Sequence, residues 1–456
     1  MSLYRSLRER EAKGEPVRVG LVGAGKFGAM FLAQARKMAG VHILGIADLE
    51  PERARLALEA TGWATERVAA ADVESALRTG GTWLTDDTQA LIESPDLDIL
   101  VEATGSPRAG IAHALAAFKA GRHVVMVNVE ADALAGPLLA RRAAEAGVIY
   151  SLAWGDQPAL ICEHVDWART CGFEVVCAGK GTRYLPRFHQ STPETVWEAF
   201  GITAEVAARG GMNPQMFTSF IDGSKSAIEM TAVANATGLV PQAEGLGFPP
   251  AACRELAEVC RPRAKGGQLS RSGTTEVISS LRRDGAKIED DLTLGTYVVV
   301  AADHDYVRRC LGEYGFSADR EQEHFALWRP AHFIGLELGI SIASIACRQE
   351  PTGCADAFRS DVVAVAKRAL RVGEILDGEG GFSVWGRQLP AAQSLERRGL
   401  PIGLARGLPL VREVEEGALV RWDDVESSPS DEAVLFRREM ERHCLEVEGP
   451  ERSETS

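Results

Sequence analysis

The chain predicts an α/β fold whose first domain is a doubly wound parallel sheet. From residue 17 to about residue 155, short β-branched strands alternate with helical segments. Alternation at this spacing requires right-handed crossovers between parallel strands. The first strand begins at Val17 and runs into the glycine pattern Gly23-x-Gly25-x-x-Gly28, directly before a helical segment. These two observations define the class of the first domain, which is expected to span residues 1–155.

The remaining elements of this domain follow from apolar runs and the turns between them. Each strand is a short apolar run that ends at a polar or glycine residue. The predicted strands cover residues 42–48, 83–87, 98–105, 121–128 and 147–151, and predicted helices cover residues 29–38, 51–61 and 88–93.

The glycine pattern at the end of the first strand predicts a dinucleotide site. Gly23 makes a tight turn, Gly25 lets the backbone approach a pyrophosphate, and Gly28 lets the helix pack closely on the strand. The helix amino terminus adds free N–H groups and positive potential, so Lys26 and Phe27, its first residues, belong to the predicted site.

The identity of the dinucleotide depends on the end of the second strand. Asp48 lies 20 residues beyond Gly28, where a carboxylate is expected to bind the ribose 2′-hydroxyl of NAD and to repel a 2′-phosphate. Arg53 and Arg55 are close enough in sequence to accept the 2′-phosphate of NADP instead. Residue chemistry favours NAD, and NADP stays open.

Two further strand ends are expected to contribute to this site. Ligands of doubly wound sheets bind outside the carboxyl ends of the strands. Thr104 and Gly105 follow one strand, and Asn128 follows the next. We expect them beside the cofactor, although ordinary strand-to-helix turns would look similar.

Composition limits the class of partner. The formal net charge is −14, which argues against a nucleic-acid surface and against adhesion to an anionic membrane. The charged amino terminus predicts a short amphipathic helix rather than a secretory signal. Nine cysteines without metal-ligand spacing are typical of reduced thiols, so we expect a cytoplasmic protein. Because the charge disfavours nucleic acids and membranes as partners, we expect the protein to act on a small molecule.

Beyond residue 155 the texture of the sequence changes. Residues 156–355 are turn-rich and predict a substrate domain, and its apolar run from His332 is expected to be a buried helix that packs on the first domain or on a second subunit. Glycine-broken short strands predict a compact β module at 356–425. Residues 426–456 predict a charged tail with a helix at 431–444 and a disordered end. A homo-oligomer is expected.

One cluster of the second domain predicts an anion site. Lys180, Arg183, Arg187 and His189 follow a strand in a glycine-flanked loop. Such cations can hold a carboxylate or phosphate, and a guanidinium can do so bidentately. A solvated basic loop is the alternative interpretation.

A second cluster predicts the proton-transfer group. Asp222, Lys225 and Glu229 have the spacing of one helical face, within apolar surroundings that suggest burial. We expect Lys225 to transfer the proton and the two acids to orient it or the substrate. A surface ion-pair ladder would have the same spacing. Tyr184, Asn213 and Ser219 lie in these two clusters and are assigned to substrate binding.

Other groups remain open as alternatives. His164, His304 and His332 could transfer a proton, but each is better explained as a structural histidine. No His/Cys cluster has zinc-like spacing. An oxygen-ligated Mg²⁺ or Mn²⁺ held by dispersed carboxylates such as Asp156 and Glu163 stays possible, because such sites lack a sequence signature.

Several motifs together resemble one family, the homoserine-dehydrogenase-like oxidoreductases with a C-terminal SAF domain, which include the DXR-like (DRL) enzymes. These motifs are Gly-Ala-Gly-Lys-Phe-Gly at 23–28, Val-Glu-Ala-Thr-Gly at 101–105, Val-Met-Val-Asn-Val-Glu-Ala-Asp at 125–132, Gly-Lys-Gly-Thr-Arg-Tyr at 179–184, Phe-Ile-Asp-Gly-Ser-Lys-Ser-Ala-Ile-Glu-Met at 220–230 and Trp-Arg-Pro-Ala-His-Phe-Ile-Gly-Leu-Glu-Leu-Gly at 328–339.

The resemblance implies a Rossmann domain, an α+β homoserine-dehydrogenase-like catalytic domain and a small β-clip (SAF) module. It gives Lys225 and Asp222 the roles of the family lysine and acid near the substrate hydroxyl. DXR-like members convert 1-deoxy-D-xylulose 5-phosphate with NADPH and a divalent metal, in which case Lys180 and Arg183 would hold the phosphate.

Three functions follow as hypotheses. The first is an NAD(P)-dependent oxidoreductase acting on a small anionic substrate, with 1-deoxy-D-xylulose 5-phosphate reductoisomerase, an enzyme of isoprenoid biosynthesis, as its most concrete version. The second is a homoserine-like, sugar-acid or polyol dehydrogenase without rearrangement. The third is a dinucleotide-binding sensor without turnover.

Overall fold

A computed structural model describes residues 2–447 of the chain. Contacts among these residues define two compact units, which are residues 2–160 with 332–355 and residues 161–331 with 356–447. The segment 332–355 therefore belongs to the first unit, although it follows most of the second unit in sequence. The domain boundaries drawn from the sequence stay predictions. No helix in this described part is long and apolar enough to cross a membrane.

The elements alternate in the first unit and become irregular in the second. The strands are β1 Val17–Val22, β2 Val41–Ala47, β3 Trp83–Thr85, β4 Ile99–Glu102, β5 His123–Met126, β6 Tyr150–Leu152, β7 Glu174–Thr182, β8 Thr274–Ser279, β9 Thr296–Ala301, β10 Ser317–Ala318, β11 His324–Arg329, β12 Ser360–Ala366 and β13 Val384–Pro390. The α-helices are α1 Leu3–Ala12, α2 Lys26–Ala35, α3 Pro51–Ala60, α4 Val73–Thr79, α5 Thr88–Glu93, α6 Pro107–Lys119, α7 Val129–Glu145, α8 Gln157–Thr170, α9 Val196–Phe200, α10 Ala204–Arg209, α11 Pro214–Asp222, α12 Ser224–Thr237, α13 Leu256–Val259, α14 Asp305–Glu313, α15 Gly339–Arg348, α16 Ala391–Arg397, α17 Ile402–Ala405 and α18 Glu432–Val447.

The first unit contains the predicted parallel sheet. Its strands have the order β3-β2-β1-β4-β5-β6, and every neighbouring pair is parallel. The strand order reverses between β1 and β4. The crevice that binds ligands in such sheets therefore lies at the carboxyl ends of these two strands. The predicted doubly wound fold is confirmed.

The apolar run that starts at His332 differs from its prediction. Only Gly339–Arg348 is helical. Gly335 adopts a left-handed φ of 75°, which does not fit an α-helix, so the helix begins only after this residue. Ile342 and Ile345 pack into the hydrophobic core of the first unit, as expected for this segment. Phe333 is 52% exposed, so the prediction of one buried helix is wrong for the beginning of the run.

The second unit is built on a mixed sheet of five strands. Their order is β10-β11-β9-β7-β8, with β7 parallel to β8 and antiparallel to β9. Side chains of a strand alternate between the two faces of a sheet. Accordingly, Val298 and Val300 of β9 join one hydrophobic core, and Tyr297 and Val299 join the other.

The C-terminal module belongs to the second unit. Strands β12 and β13 form an antiparallel pair, as the predicted β module requires, and α12 contacts both strands. Helix α18 confirms the helix predicted at 431–444. It carries the fully buried Arg437, whose Nη2 lies 2.6 Å from Oδ2 of Asp361 in β12. The expected disordered end of the chain lies outside the described residues.

Candidate active site

The glycine turn after β1 has the geometry that the sequence predicts. Gly23 has a φ of 98°, and a Cβ there would lie 2.7 Å from the Ala103 carbonyl oxygen. A Cβ on Gly28 would lie 2.6 Å from the Gly23 carbonyl oxygen. Both positions must therefore be glycine for the backbone segments to approach each other this closely. Gly25 has no other heavy atom within 4 Å of such a position. The space over Gly25 is therefore open to a phosphate group.

The carboxylate of Asp48 lies against this turn. Its Oδ2 accepts a hydrogen bond of 2.8 Å from the Ala24 amide, and its Oδ1 accepts one of 3.0 Å from the Glu50 amide. Arg53 has one guanidinium nitrogen 3.7 Å from Asp48 and another 3.3 Å from Glu50. A buried carboxylate thus occupies the end of β2 and holds the turn in place.

The second arginine considered for a 2′-phosphate has other partners. Arg55 forms ion pairs with Glu52 and Glu59 of its own helix, α3. Its side chain is therefore occupied by a local network. Lys26 and Phe27 are the first two residues of α2, and Lys26 is exposed.

The other two strand ends also meet near one another. The Asn128 amide donates to the Ser106 carbonyl at 2.8 Å and to Thr104 Oγ1 at 3.4 Å. Thr104 Oγ1 donates to the buried Glu102 carboxylate at 2.6 Å. Gly105 has a φ of 70° and open space beside it. The structure thus brings the three predicted residues together at the ends of β4 and β5.

The predicted single helix around Lys225 is two helices. Helix α11 ends at Asp222, Gly223 adopts a φ of 97°, and α12 begins at Ser224. Only a residue without a Cβ adopts this conformation freely, and it terminates a helix. The prediction that Asp222 shares one helical face with Lys225 and Glu229 is therefore wrong. Lys225 is half-buried at the second position of α12.

Asp222 is fully buried and has a cationic partner that sequence reasoning missed. Its Oδ2 lies 2.9 Å from Nζ of Lys367, which follows β12 in the C-terminal module. Its Oδ1 accepts a hydrogen bond of 2.9 Å from the Ser224 amide. Lys367 lies in a stretch that the sequence indicates only as a β module, so no sequence signal linked it to Asp222.

Glu229 is paired with another strand of the unit. Its carboxylate forms an ion pair with Lys180, and both side chains are buried. Lys180 belongs to β7, so its predicted place in a loop is wrong. Because Glu229 offsets its charge, Lys180 is a weaker candidate for binding a substrate anion than the sequence suggests.

The rest of the predicted anion cluster is divided among different environments. Arg183 donates from Nε to the Ala199 carbonyl at 2.9 Å. Arg187 is exposed, with its guanidinium carbon 5.4 Å from the centre of the Phe188 ring. The described contacts therefore do not join these cations in one site with Lys180.

His189 connects an aromatic group to Asp222. Its Nδ1 lies 2.6 Å from the Asp222 carbonyl oxygen, and its Nε2 lies 2.8 Å from the Tyr184 hydroxyl. A carbonyl can only accept, so Nδ1 carries the proton and Nε2 accepts from Tyr184. Burial lowers the pKa of His189 and raises the pKa of Tyr184 to about 12. This pair is therefore neutral near pH 7.

Asn213 and Ser219 have partners within the second unit. The Asn213 side chain caps α11 by accepting hydrogen bonds from the Gln215 and Met216 amides at 3.0 and 3.3 Å. Ser219 donates from Oγ to the carboxylate of Glu379 in the C-terminal module. Both residues fix α11, and their assignment to substrate binding stays a prediction.

Two alternative histidines have structural environments. Burial lowers the pKa of His164 to about 4, and its Nε2 lies 3.1 Å from Thr296 Oγ1. His304 caps α14 by accepting from the Tyr306 amide at 3.1 Å. Asp156, one of the possible metal ligands, accepts from the Gln157 amide at 2.9 Å. Across residues 2–447 no three His, Cys, Asp or Glu side chains group as a metal site.

A cavity of about 260 Å³ adjoins the turn between α11 and α12. Gly223 and Ala227 line one side, and Trp385 and Arg387 of β13 line another. The ring of His189 stacks on Trp385 with a centroid distance of 3.8 Å. Pockets for drug-sized ligands measure roughly 300–1,000 Å³, so this cavity suits only a small molecule.

Family models match the chain in three consecutive segments. Residues 19–152 match the NAD-binding domain of homoserine dehydrogenase, residues 155–338 match the catalytic domain of oxidoreductase DRL, and residues 361–426 match the SAF domain. These matches define an NAD(P)-dependent oxidoreductase. More particularly, the chain is a homoserine-dehydrogenase-like oxidoreductase with a DRL-type catalytic domain and a C-terminal SAF domain, as the sequence motifs predict.

Solved structures resemble the chain more distantly. A homoserine dehydrogenase from Thiobacillus denitrificans is 16% identical, with 78% of this chain and 83% of that chain covered and a TM-score of 0.43. A probable dehydrogenase from Thermotoga maritima is 12% identical, with 74% and 90% covered and a TM-score of 0.36. An NAD binding oxidoreductase from Klebsiella pneumoniae is 18% identical over 37% of this chain, with a TM-score of 0.27. The chain spans only 43% of that last structure. No curated protein matches the chain.

Proposed function

We propose that the protein transfers hydride between a nicotinamide dinucleotide and the hydroxyl or carbonyl carbon of a small anionic substrate. The observation that carries this proposal is the turn Asp222-Gly223-Ser224-Lys225. A buried carboxylate with a cationic partner lies there three residues before a half-buried lysine, within the segment that matches an oxidoreductase catalytic domain.

The bound nicotinamide supplies or accepts the hydride in such a reaction. The chain must then move a proton at the substrate oxygen, and an amine can do so as a general acid or base. We assign this role to Lys225. Asp222 fixes the turn before it, and Glu229 offsets the charge of Lys180 on the neighbouring strand.

For the cofactor, we propose NAD in preference to NADP. Asp48 places a buried carboxylate at the end of β2, beside the glycine turn, where it suits a ribose hydroxyl and repels a 2′-phosphate. Arg53 and Arg55, the two candidate partners of that phosphate, have ion pairs with Asp48, Glu50, Glu52 and Glu59. The open space over Gly25 fits the pyrophosphate of either dinucleotide.

Two substrate classes are candidates. The DRL match makes 1-deoxy-D-xylulose 5-phosphate the first, with the carbon-skeleton rearrangement that its conversion requires. The buried pair of Lys180 with Glu229 favours the second, an unphosphorylated hydroxy acid, amino alcohol or polyol, because that pair leaves less positive charge for a phosphate.

The test begins with calorimetric binding of NADH and NADPH to the full chain. The tighter cofactor is then offered with 1-deoxy-D-xylulose 5-phosphate, and its oxidised form with homoserine, sugar acids and polyols, with and without Mg²⁺ or Mn²⁺. Substrate-dependent turnover that is lost in Lys225→Met, with cofactor binding intact, would support the proposal.

Lys265→Met is the matched control. Lys265 lies in the same unit, is exposed and pairs with Glu323, so its removal should leave turnover unchanged. Tight cofactor binding without turnover of any of these substrates would contradict the proposal and favour a sensor. Equal turnover in Lys225→Met would contradict the role of that lysine.

A further inference from the structure

We propose that the SAF module positions the Asp222–Lys225 turn, with Lys367 as its central positioning residue. The C-terminal module would then be a working part of the oxidoreductase. The importance of this turn rests on the proposed function. The positioning itself rests on contacts within the second unit.

The ammonium group of Lys367 has two carbonyl acceptors and one charged partner. It lies 2.9 Å from Asp222 Oδ2, and it donates to the carbonyls of Ser191 at 2.6 Å and Gly381 at 2.8 Å. Two of the three N–H donors of the lysine are thus used by carbonyl groups, and the carboxylate of Asp222 balances its charge as an ion pair. Lys367 is 3% exposed and Asp222 is fully buried. A cation in this position is held by the SAF module on one side and by the catalytic segment on the other.

The contact passes from Asp222 to the start of α12. The second carboxylate oxygen, Oδ1, accepts from the Ser224 amide at 2.9 Å, across the left-handed Gly223. The ion pair fixes the carboxylate, and the carboxylate fixes the amide next to Lys225. Loss of the cation would leave a buried carboxylate without its charged partner, which favours local rearrangement.

Strand β13 of the SAF module touches the same turn independently. The Gly386 amide donates to Ser224 Oγ at 2.8 Å. A Cβ on Gly386 would lie 3.4 Å from the Ser224 Cα and 2.9 Å from the side chain of Val362. A glycine at this position lets the strand approach the first residue of α12.

A glycine-rich loop between β12 and β13 holds the preceding helix. Gln215 of α11 donates from Nε2 to the carbonyls of Asp377 at 3.2 Å and Glu379 at 2.8 Å. A Cβ on Gly380 would lie 2.0 Å from the Gln215 carbonyl oxygen. The loop therefore packs backbone to backbone on the helix that ends at Asp222. The SAF module therefore makes three separate contacts with helix α11 and the turn that follows it.

The first test needs no substrate. Hydrogen–deuterium exchange of the full chain is compared between wild type and Lys367→Met. We expect exchange of the amides at 222–226 to rise about tenfold or more, while the first unit is unchanged and NADH binds as in wild type. Arg368→Met is the matched control, because Arg368 is the next residue, is largely exposed and pairs with Glu374.

Unchanged exchange at 222–226, or an equal rise throughout the second unit, would overturn the inference. Should Lys367→Met not fold, Gln215→Met supplies the test. This milder change removes only the two amide hydrogen bonds to the loop, and we expect a roughly threefold rise in exchange at the turn. No change in that variant would overturn the inference.

The second test uses the substrate found for the wild-type protein. A positioning role predicts that Lys367→Met lowers kcat about 100-fold, the size of effect that misplacement of a catalytic group by about 1 Å causes, with KM changed less than threefold. If the lower activity of Lys367→Met is explained entirely by a smaller fraction of folded protein, so that kcat per folded molecule equals that of wild type, the result would argue against positioning. Absence of turnover in wild type contradicts the proposed function alone, and the exchange experiment still decides this inference.

Discussion

Lys180 of β7 and Glu229 of α12 form an ion pair whose side chains are 8% and 5% exposed. The pair joins the central sheet of the second unit to the helix that carries Lys225. Removal of one member of a buried pair leaves a charge without its partner in a medium of low polarity. Such a loss costs about 3–5 kcal/mol, whereas replacement of both members by apolar residues is often nearly neutral.

We therefore predict that Lys180→Met lowers the free energy of unfolding of the second unit by about 3–5 kcal/mol. The double variant Lys180→Met/Glu229→Leu should regain most of that loss. Urea unfolding of the two variants and of the exposed control Lys265→Met would measure it. Equal destabilisation in the single and double variants would show that the pair itself is not the cause.

Asp48 predicts the cofactor preference. Asp48→Ser removes the negative charge beside the ribose site, so binding of NADPH relative to NADH should rise about tenfold or more. Calorimetry with both dinucleotides measures this ratio. Glu74→Ser removes an exposed acid of helix α4, away from Arg53 and Arg55, and should leave the ratio within about twofold. A ratio that does not change in Asp48→Ser would argue against the NAD assignment.

Asp132 predicts a loss of stability as the pH rises. Burial raises the pKa of Asp132 from 3.8 to about 7, and Tyr150 donates to its Oδ1 at 2.8 Å. The folded state therefore binds a proton that the unfolded state releases above pH 4. Stability from this group is fully present below about pH 4 and is lost as the pH rises through 7.

Asp132→Asn should remove this pH dependence. Its free energy of unfolding at pH 8 should be about 1–3 kcal/mol higher than that of wild type. The measurement is urea unfolding between pH 4 and pH 8. Glu145→Gln changes an exposed acid of the same helix, α7, and should stay within about 0.5 kcal/mol of wild type at each pH. A parallel pH dependence in Asp132→Asn and wild type would refute the assignment.

His164 predicts the opposite dependence in the second unit. Burial lowers its pKa from 6.5 to about 4. Between about pH 6.5 and pH 4, the unfolded state therefore binds a proton at His164 that the folded state does not bind. Stability from this group is present above about pH 6.5 and is lost as the pH falls to about 4. His164→Gln should lose part of that acid sensitivity in urea unfolding at pH 4–7, and a variant as sensitive as wild type would contradict the prediction.

The sequence by itself determined the first unit and its cofactor turn. Strand alternation predicts parallel order, and the roles of Gly23 and Gly28 depend on backbone contacts within a short stretch of chain. Asp48 was predictable for the same reason, because one strand and one turn place it beside Ala24. Local geometry repeats wherever this pattern of residues occurs, so the pattern carries it.

Only the tertiary structure decided the partners of the charged residues. Spacing alone placed Asp222, Lys225 and Glu229 on one helix, and the left-handed Gly223 divides them between two. Glu229 pairs with Lys180, and Asp222 pairs with Lys367 of the C-terminal module. A buried charge needs a partner, but which cation supplies it depends on how distant segments pack. No spacing along the chain records that choice.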